Sequence, residues 1–378
     1  MKKKILIVSR SFYPMNSPRS FRTTELVKEF ARQGHEVKLL TVKDDDHHIP
    51  FEKKHGVTIE NLGPLKFDEI SLKGGGRISH FTKRIVRRGL YQLFEYPDIE
   101  LMYRVKNALA KESGYDLLIS IAVPHPVHWG VAWAWRPENP IAKTWVADCG
   151  DPYMGQRLDS FNKMFYFKYF EQNFCRQADY ITVPLEEARS GYYQEFQNKI
   201  KVIPQGFDFS EIAIDQSSYQ VNEVPTFAYA GGLIPGGRDP RLFLEYLTTL
   251  KLEYKFIIFT KNTGLIKPYV DKANGKIEVR DYIPREELLQ YLATMDFLVN
   301  FENDTSLQLP SKLIDYYLTG RPVLSIPSKT LNKQDVQEFL YGDYTGRYKF
   351  DNMEQYRIEN VCDRFLTLSY NGEYQWKT

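Results

Sequence analysis

Lys4-Ile-Leu-Ile-Val8, the stretch Arg19 to Gln33 and Val37-Lys-Leu-Leu-Thr-Val42 decide the fold. A short continuous apolar run marks a strand buried on both faces. Between the two runs, Phe21, Leu26, Phe30 and Ala31 are spaced toward one side of a helix, and Gly34 is placed as its stop. Strand, helix, strand in that order is a βαβ unit, which builds a parallel sheet through right-handed crossovers.

The same grammar continues outward. Leu117–Ile121, Thr144–Ala147 and Tyr180–Val183 read as further buried strands, and Lys201-Val-Ile-Pro-Gln-Gly206 ends the series in a Pro/Gly break. After a polar stretch from Asp215 to Glu223, a second alternation begins. Its strands are Thr226–Ala230, Tyr254–Phe259, Ile277–Val279, Asp296–Asn300 and Pro322–Ile326, with helices over Arg241–Leu250, Arg285–Thr294 and Ser311–Thr319. The expected class is α/β, with two Rossmann-like parallel-sheet domains facing a cleft. The first spans 1–207 and the second 208–350; the segment 351–378 follows, with the option of crossing back to the first. No repeat of 20–50 residues underlies the pattern.

A chain of 378 residues suits two such domains. The apolar fraction of 43% and charged fraction of 26% exclude a fibrous or disordered chain. A formal charge of +2 argues against a nucleic-acid partner. The balance is uneven, however: 31 basic and 24 acidic residues in 1–207 give +7, leaving −5 for 208–378. Cys149, Cys175 and Cys362 are far apart without a C-x-x-C pair, which excludes a disulfide framework or cysteine zinc site and fits a reducing cytosol. Four apolar residues after Lys2-Lys-Lys4 are too few for a signal peptide. The apolar stretch Leu117 to Trp135 is interrupted by Pro124, His125, Pro126 and His128, so no membrane span is expected.

Ligands of open α/β sheets bind at the carboxyl ends of the strands. One such loop is Ala230-Gly231-Gly232-Leu-Ile-Pro-Gly236-Gly237-Arg238-Asp239-Pro240. Its glycines let backbone N–H groups approach a phosphate, and Arg238 can add a bidentate contact; the same glycines also suit a plain turn. It is neither G-x-G-x-x-G nor a P-loop. In Leu309-Pro310-Ser311-Lys312-Leu313-Ile314-Asp315, Ser311 is a good N-cap. The helix start could receive phosphate and Asp315 a ribose diol, or Asp315 is an ordinary carboxylate on a wet face. In the first domain, His125 and His128 follow one strand and Asp151 the next. All three are candidates to bind or deprotonate an acceptor hydroxyl, with hydrogen-bonded scaffolding or an N-cap as the alternative. Asp44-Asp45-Asp46-His47-His48 is read as a solvated loop, since adjacent ligands do not converge easily on one metal ion. Lys73 to Lys111 holds nine basic residues against three acids, with Ile78, Phe81, Ile85, Leu90, Tyr91 and Phe94 interleaved. Such a segment suits an anionic membrane surface or a helix packed on its sheet.

In order and spacing these motifs resemble the GT-B glycosyltransferases, specifically the retaining family 4-like group of bacterial surface polysaccharide synthesis. The stretches carrying the resemblance are Ile5–Thr41, "PHPVHWG" with "WVADCGDPY", "ADYITVP" with "KIKVIPQGFD", "YAGGLIPGGRDPRLFLEYL", and "VRDYIPREELLQYLATMDFLVNF" with "LPSKLIDYYLTGRPVLSI". The resemblance implies that Gly231, Gly232 and Arg238 face a donor pyrophosphate. Tyr282 and Ile283 would hold the nucleobase through their backbone, Ser311, Lys312 and Leu313 would contact phosphate, and Asp315 would bind ribose. The pattern departs at Leu307, where the family has the first of two Glu eight positions apart, and at the Lys usually found shortly after the Arg.

The expected activity is therefore transfer of a sugar from a nucleotide-diphosphate donor to a hydroxyl of a glycan or lipid-linked glycan. The donor is a substrate, and no cofactor or metal is expected. Retention of configuration is implied by the resemblance alone. The expected location is cytoplasmic, peripheral at the inner membrane face through Lys73–Lys111. A nucleotide-sugar epimerase of the same fold and a non-catalytic partner subunit are the rival readings.

Overall fold

The structure, a computed structural model, describes residues 1–67, 77–155, 163–210, 214, 219–302 and 311–371. Two compact units emerge, Met1–Asp208 with Glu354–Thr378, and Phe209–Met353.

In the first unit the elements run β1 (Lys4–Ser9), α1 (Pro18–Arg32), β2 (Glu36–Thr41), α2 (Asp45–His55), β3 (Thr58–Asn61), α3 (Arg77–Phe94) and α4 (Glu100–Leu109). They continue as β4 (Tyr115–Ile121), α5 (Pro126–Ala134), β5 (Ala142–Asp148), α6 (Phe167–Gln177), β6 (Tyr180–Val183) and β7 (Ile200–Val202). All seven strands are parallel, in the order β3-β2-β1-β4-β5-β6-β7. Strand alternation sorts the side chains into two cores. Ile5 and Ile7 of β1 join Leu117, Ile119 and Ile121 of β4 on the face covered by α1. Leu6 and Val8 point the other way, into the core closed by Leu101 and Val105 of α4, Val127 of α5 and Phe174 of α6. α1 starts where Ser17 accepts a hydrogen bond from the Ser20 amide, with Pro18 next, and ends before Gly34 at φ +86°.

The second unit runs β8 (Thr226–Ala230), α7 (Arg241–Thr249), β9 (Lys255–Phe259), α8 (Lys267–Lys272), β10 (Ile277–Arg280), α9 (Arg285–Ala293), β11 (Phe297–Phe301), α10 (Ser311–Thr319), β12 (Val323–Ile326) and α11 (Lys333–Leu340). Its five parallel strands are ordered β10-β9-β8-β11-β12. Phe227 is stacked between Phe256 and Phe297, with ring centroids 4.7 and 4.5 Å away, at the centre of one core. The last helix, α12 (Ile358–Asn371), belongs to the first unit, where Val361, Cys362 and Phe365 join the core that α1 covers. It is fixed there by Phe207, whose N–H donates to the Tyr356 carbonyl (2.8 Å) and whose carbonyl accepts from Ile358 (3.0 Å).

Some elements differ from the sequence expectations. Asp45–His55 is helix rather than loop, and His48 is buried, its ring nitrogens bonded to the Asp44 amide and the Tyr13 carbonyl. Edge strand β3 escapes the apolar-run criterion because only Ile59 of its four residues is buried. The basic Lys73–Lys111 segment divides at Glu95–Pro97 into α3 and α4, with Lys73 outside the described residues. Its second half is a core helix: Leu101, Val105 and Leu109 are buried, and Arg104 pairs with Glu100 at 2.8 Å. No described helix is long and apolar enough to cross a membrane. All three cysteines are buried and free.

Candidate functional site

In a parallel sheet every strand ends on the same edge, and the crevice opens where strand order reverses. In the second unit that point lies between β8 and β11, and in the first between β1 and β4. The loop after β8 and the start of α10 therefore meet at one edge.

Gly231 there adopts φ +148°, and a Cβ would stand 3.1 Å from the Tyr229 hydroxyl, so the position demands glycine. Tyr229 in turn donates to the Gly232 carbonyl at 2.9 Å, while a Cβ on Gly232 would meet open space. The loop closes on itself through Ile234 N–H to the Arg238 carbonyl (3.0 Å) and Gly236 N–H to Asp239 (3.0 Å). Asp239 is held at about 2 by its pairing with Arg241, and so braces the loop. The Nε of Arg238 is buried without a hydrogen-bond partner among the described residues.

Lys312, on the first turn of α10, lies 4.7 Å above the Tyr229 ring and donates to the Phe301 carbonyl at 3.3 Å. Burial first, and the Arg238 charge second, bring its ammonium down to about 7. Two cations held close, with no carboxylate partner among the described residues, make a site suited to an anion.

The neighbouring candidates take more definite shapes. α10 begins at Ser311 itself, so the cap position is residue 310, outside the described residues together with Leu307. Leu313 is 3% exposed in the core, leaving only its backbone to face a ligand. Asp315 accepts two hydrogen bonds from Arg285, at 2.9 and 2.6 Å. Burial nonetheless raises its pKa against that pull. A bare carboxylate on a wet face is thus replaced by an Arg–Asp pair. Tyr282 is half exposed in the loop after β10 with Lys261 5.1 Å from its ring, and Ile283 packs against the core behind it.

The two histidines of the first unit lie side by side but have different partners. His128 is fully buried, its ring nitrogens 2.8 Å from Ser120 Oγ and 3.3 Å from Cys149 Sγ. Burial and the Arg19 charge push it down to about 3, so it is a neutral core residue with no nitrogen left for an acceptor. Composition could have warned of this, since α5 is apolar on nearly every side. His125 sits at the start of α5, its ring 4.8 Å from Tyr153. It hydrogen-bonds to the Asp151 backbone, while Nε2 is buried and unpartnered among the described residues. Burial holds its pKa well below the usual value. Asp151 and His125 are therefore neighbours, and the His128 ring lies 6.0 Å from that of His125 with both of its nitrogens engaged elsewhere.

Two buried ion networks carry no sequence signal. Asp148 accepts from Arg22 at 2.9 and 3.1 Å and from Thr182 at 2.7 Å, tying α1 to the ends of β5 and β6. Lys163 pairs with Glu95 beneath the Tyr91 and Tyr153 rings, and Tyr153 donates to the same carboxylate at 2.8 Å. Among the described residues, no three His, Cys, Asp or Glu side chains are grouped to hold a metal ion.

Two Rossmann-like sheets with these edges define the architecture of the GT-B glycosyltransferases. The Glycosyltransferase Family 4 pattern matches residues 21–211, and the chain belongs to that family. Among solved structures, a glycosyltransferase from Rickettsia africae ESF-5 superposes with TM-score 0.62 at 10% identity, covering 99% of both chains. The lipopolysaccharide outer core galactosyltransferase WaaB gives 0.59 at 11% identity, over 97% of this chain and 99% of that one. A chain assigned as a UDP-N-acetylglucosamine 2-epimerase from Listeria monocytogenes gives 0.55 at 10% identity, over 99% and 98%. At such identities the likeness shows the fold. No curated protein sequence matches the chain.

Proposed function

We propose that this family 4 glycosyltransferase moves a sugar from a nucleotide diphosphate to a hydroxyl of a glycan, on a lipid-linked acceptor, with retention of configuration. The observation that carries the donor half is the convergence of Arg238 and Lys312, one with a buried nitrogen unpartnered among the described residues and the other with a depressed pKa. A diphosphate would satisfy both, and the same charges would neutralise the leaving group as the glycosidic bond breaks. The first-turn amides of α10 would add contacts. This arrangement assigns the leaving-group charge to protein cations, so the proposed reaction needs no divalent ion. Tyr282 and Ile283 would border the base, and Asp315 with Arg285 the ribose. In the first unit His125 Nε2, beside Asp151, is the basic atom placed to orient an acceptor hydroxyl.

The location follows from α3. Phe81, Ile85, Val86 and Phe94 are all more than half exposed beside Lys83, Arg84, Arg87 and Arg88. An apolar and basic surface of this kind suits the anionic cytoplasmic leaflet.

A thermal-shift series with UDP-, GDP-, dTDP- and CMP-sugars tests the donor reading. Ligand at 100 times its dissociation constant stabilises by about 2.7 kcal/mol. Product analysis then separates the readings: an epimerase leaves its sugar on the nucleotide, and a transferase releases the diphosphate. A chain that stabilises with none of these donors would be the partner subunit.

A further inference from the structure

β11 ends on a polar cluster that the phosphate, base and ribose positions leave unused. Its sequence, Phe297-Leu-Val-Asn-Phe301, is apolar except at Asn300, and Asn300 is 2% exposed. Strand alternation puts Phe297, Val299 and Phe301 in one core and Leu298 in the other. Asn300 and Glu302 therefore fall on the side of Leu298, where α10 packs Leu313 and Tyr316. On the neighbouring strand β12, Ser325 stands in register with Asn300. Asn300 Nδ2 donates to Ser325 Oγ at 2.8 Å, and Ser325 Oγ donates to Glu302 Oε1 at 2.8 Å. A serine hydroxyl has one proton, so accepting from Asn300 aims that proton at the carboxylate. The Glu302 backbone is pinned as well, its N–H donating to the Ile326 carbonyl (2.9 Å) and its carbonyl accepting from Ser328 Oγ (2.6 Å).

This order has a cost. Asn300 Oδ1 is buried with no hydrogen-bond partner among the described residues, a penalty that an apolar residue in its place would avoid. What the strand end obtains is a carboxylate held in one orientation. Glu302 itself is partly exposed, and Ser325 is the hydrogen-bond partner of its carboxylate among the described residues. The residue before it, Phe301, supplies the carbonyl to which Lys312 donates at 3.3 Å. The carboxylate thus stands at a strand exit beside the switch point of the second sheet, one residue from the anchor of a cation assigned to the diphosphate.

We infer that Glu302, oriented by Ser325 and Asn300, binds hydroxyls of the donor's sugar. The inference rests on the nucleotide-sugar reading proposed above and adds the group that distinguishes a sugar-nucleotide from a bare diphosphate. A sugar joined to a diphosphate on Arg238 and Lys312 brings hydroxyl donors beside those cations, and a carboxylate oxygen accepts from them more strongly than a neutral group does. Glu302 makes the contact; Ser325 and Asn300 are positioning residues.

The test measures binding of UDP, GDP and dTDP to the full chain against binding of UDP-glucose, UDP-galactose, GDP-mannose and dTDP-glucose. Glu302→Ala should weaken the sugar-nucleotide that the wild type binds by about tenfold or more, as for a hydrogen bond to a charged group, and leave its bare diphosphate within about twofold. Ser325→Ala, which keeps the carboxylate but not its orientation, should weaken the same sugar-nucleotide less. Asn300→Val, which removes the unpartnered oxygen, should lower sugar-nucleotide affinity without lowering the melting temperature; a cluster that only stabilised the strand would do the opposite. Equal losses for diphosphate and sugar-nucleotide, or unchanged affinities in the Glu302 variant, would overturn the inference and leave the donor reading standing. So would a wild type that binds a diphosphate but none of the sugar-nucleotides. A wild type that binds no diphosphate would overturn the donor reading, and this inference with it.

Discussion

The ammonium of Lys312 and the guanidinium of Arg238 stand close enough to depress the lysine, which burial has already weakened, to about 7. Two like charges at a strand exit cost stability unless something negative joins them, and the fold has braced both. Tyr229 underlies the lysine and fixes Gly232, while Asp239 and Arg241 close the loop that carries Arg238. The same tyrosine thus couples the glycine turn to the helix start.

That pair makes donor affinity depend on pH. Lys312 is charged below pH 7 in the free protein, and a bound diphosphate would raise its pKa toward the ordinary value. Above pH 7 binding must therefore take up a proton, and affinity should fall by up to about tenfold per pH unit. Below pH 7 it should level off. Calorimetry with a nucleotide-diphosphate sugar, whose own phosphates do not titrate there, should show proton uptake at pH 8, and Lys312→Met should abolish it. Affinity in the wild type that is flat from pH 6 to 9 would remove Lys312 from the site.

Arg238→Ala should weaken donor binding by about 1.5–3 kcal/mol, the range for a charged hydrogen bond. Asp315→Asn should weaken it less, because the amide oxygen can still accept from Arg285, and the fold should survive both changes. Unaltered donor dissociation constants in the two variants would place the nucleotide elsewhere.

How far the sequence discloses all this depends on distance along the chain. Both parallel sheets are legible because their strands are continuous apolar runs, and Gly231 to Arg238 stands out because a glycine turn is a local event. β3 is hidden by its single buried residue, and α5 because seven of its nine residues are buried, which erases helical periodicity. The ion pairs are illegible for another reason. Arg22 and Asp148 are 126 residues apart, Lys163 and Glu95 are 68, and Arg285 and Asp315 are 30, so only the assembled fold brings them together. His125 and His128 look equivalent three positions apart and both are buried, yet only His128 has both ring nitrogens engaged among the described residues.

The two histidines should accordingly fail in different ways. His128→Ala leaves Ser120 and Cys149 facing a cavity and should cost about 2–4 kcal/mol of stability. His125→Ala and Asp151→Ala should keep the fold and donor binding but lose transfer. Chemical denaturation alongside single-turnover assays separates the cases. Full transfer by the His125 variant would reduce that residue to scaffolding.

Glu171 gives the first unit a stability that falls with pH. It is fully buried and accepts from the Tyr153 and Met154 amides at 3.0 and 3.3 Å. Burial outweighs those hydrogen bonds and raises its pKa to about 7, above the ordinary value of 4.5. The folded state therefore binds the proton more tightly than the unfolded one. Stability from this group is complete below pH 4.5, declines between 4.5 and 7, and is constant above, a loss of about 1–3 kcal/mol. Glu171→Gln should flatten that profile and raise the urea midpoint at pH 8 without altering it at pH 4. An unchanged slope would assign the pH dependence to another group.

The charge on α3 should decide attachment to membranes. Each Lys or Arg near an anionic surface contributes about 1 kcal/mol, and the exposed Phe81, Ile85 and Phe94 add apolar contact. Replacing Lys83, Arg84, Arg87 and Arg88 by Glu should release the protein from phosphatidylglycerol vesicles. It should leave the melting temperature nearly unchanged, because these side chains are exposed or only partly buried on the surface of α3. Salt should weaken the wild-type association, since charges exposed to solvent are screened within about 8–10 Å. Phe81→Ser with Ile85→Ser should weaken it at every salt concentration, because apolar insertion is not screened. A wild type that ignores anionic vesicles even at low salt would make the basic face of α3 a solvated surface and the acceptor a soluble glycan.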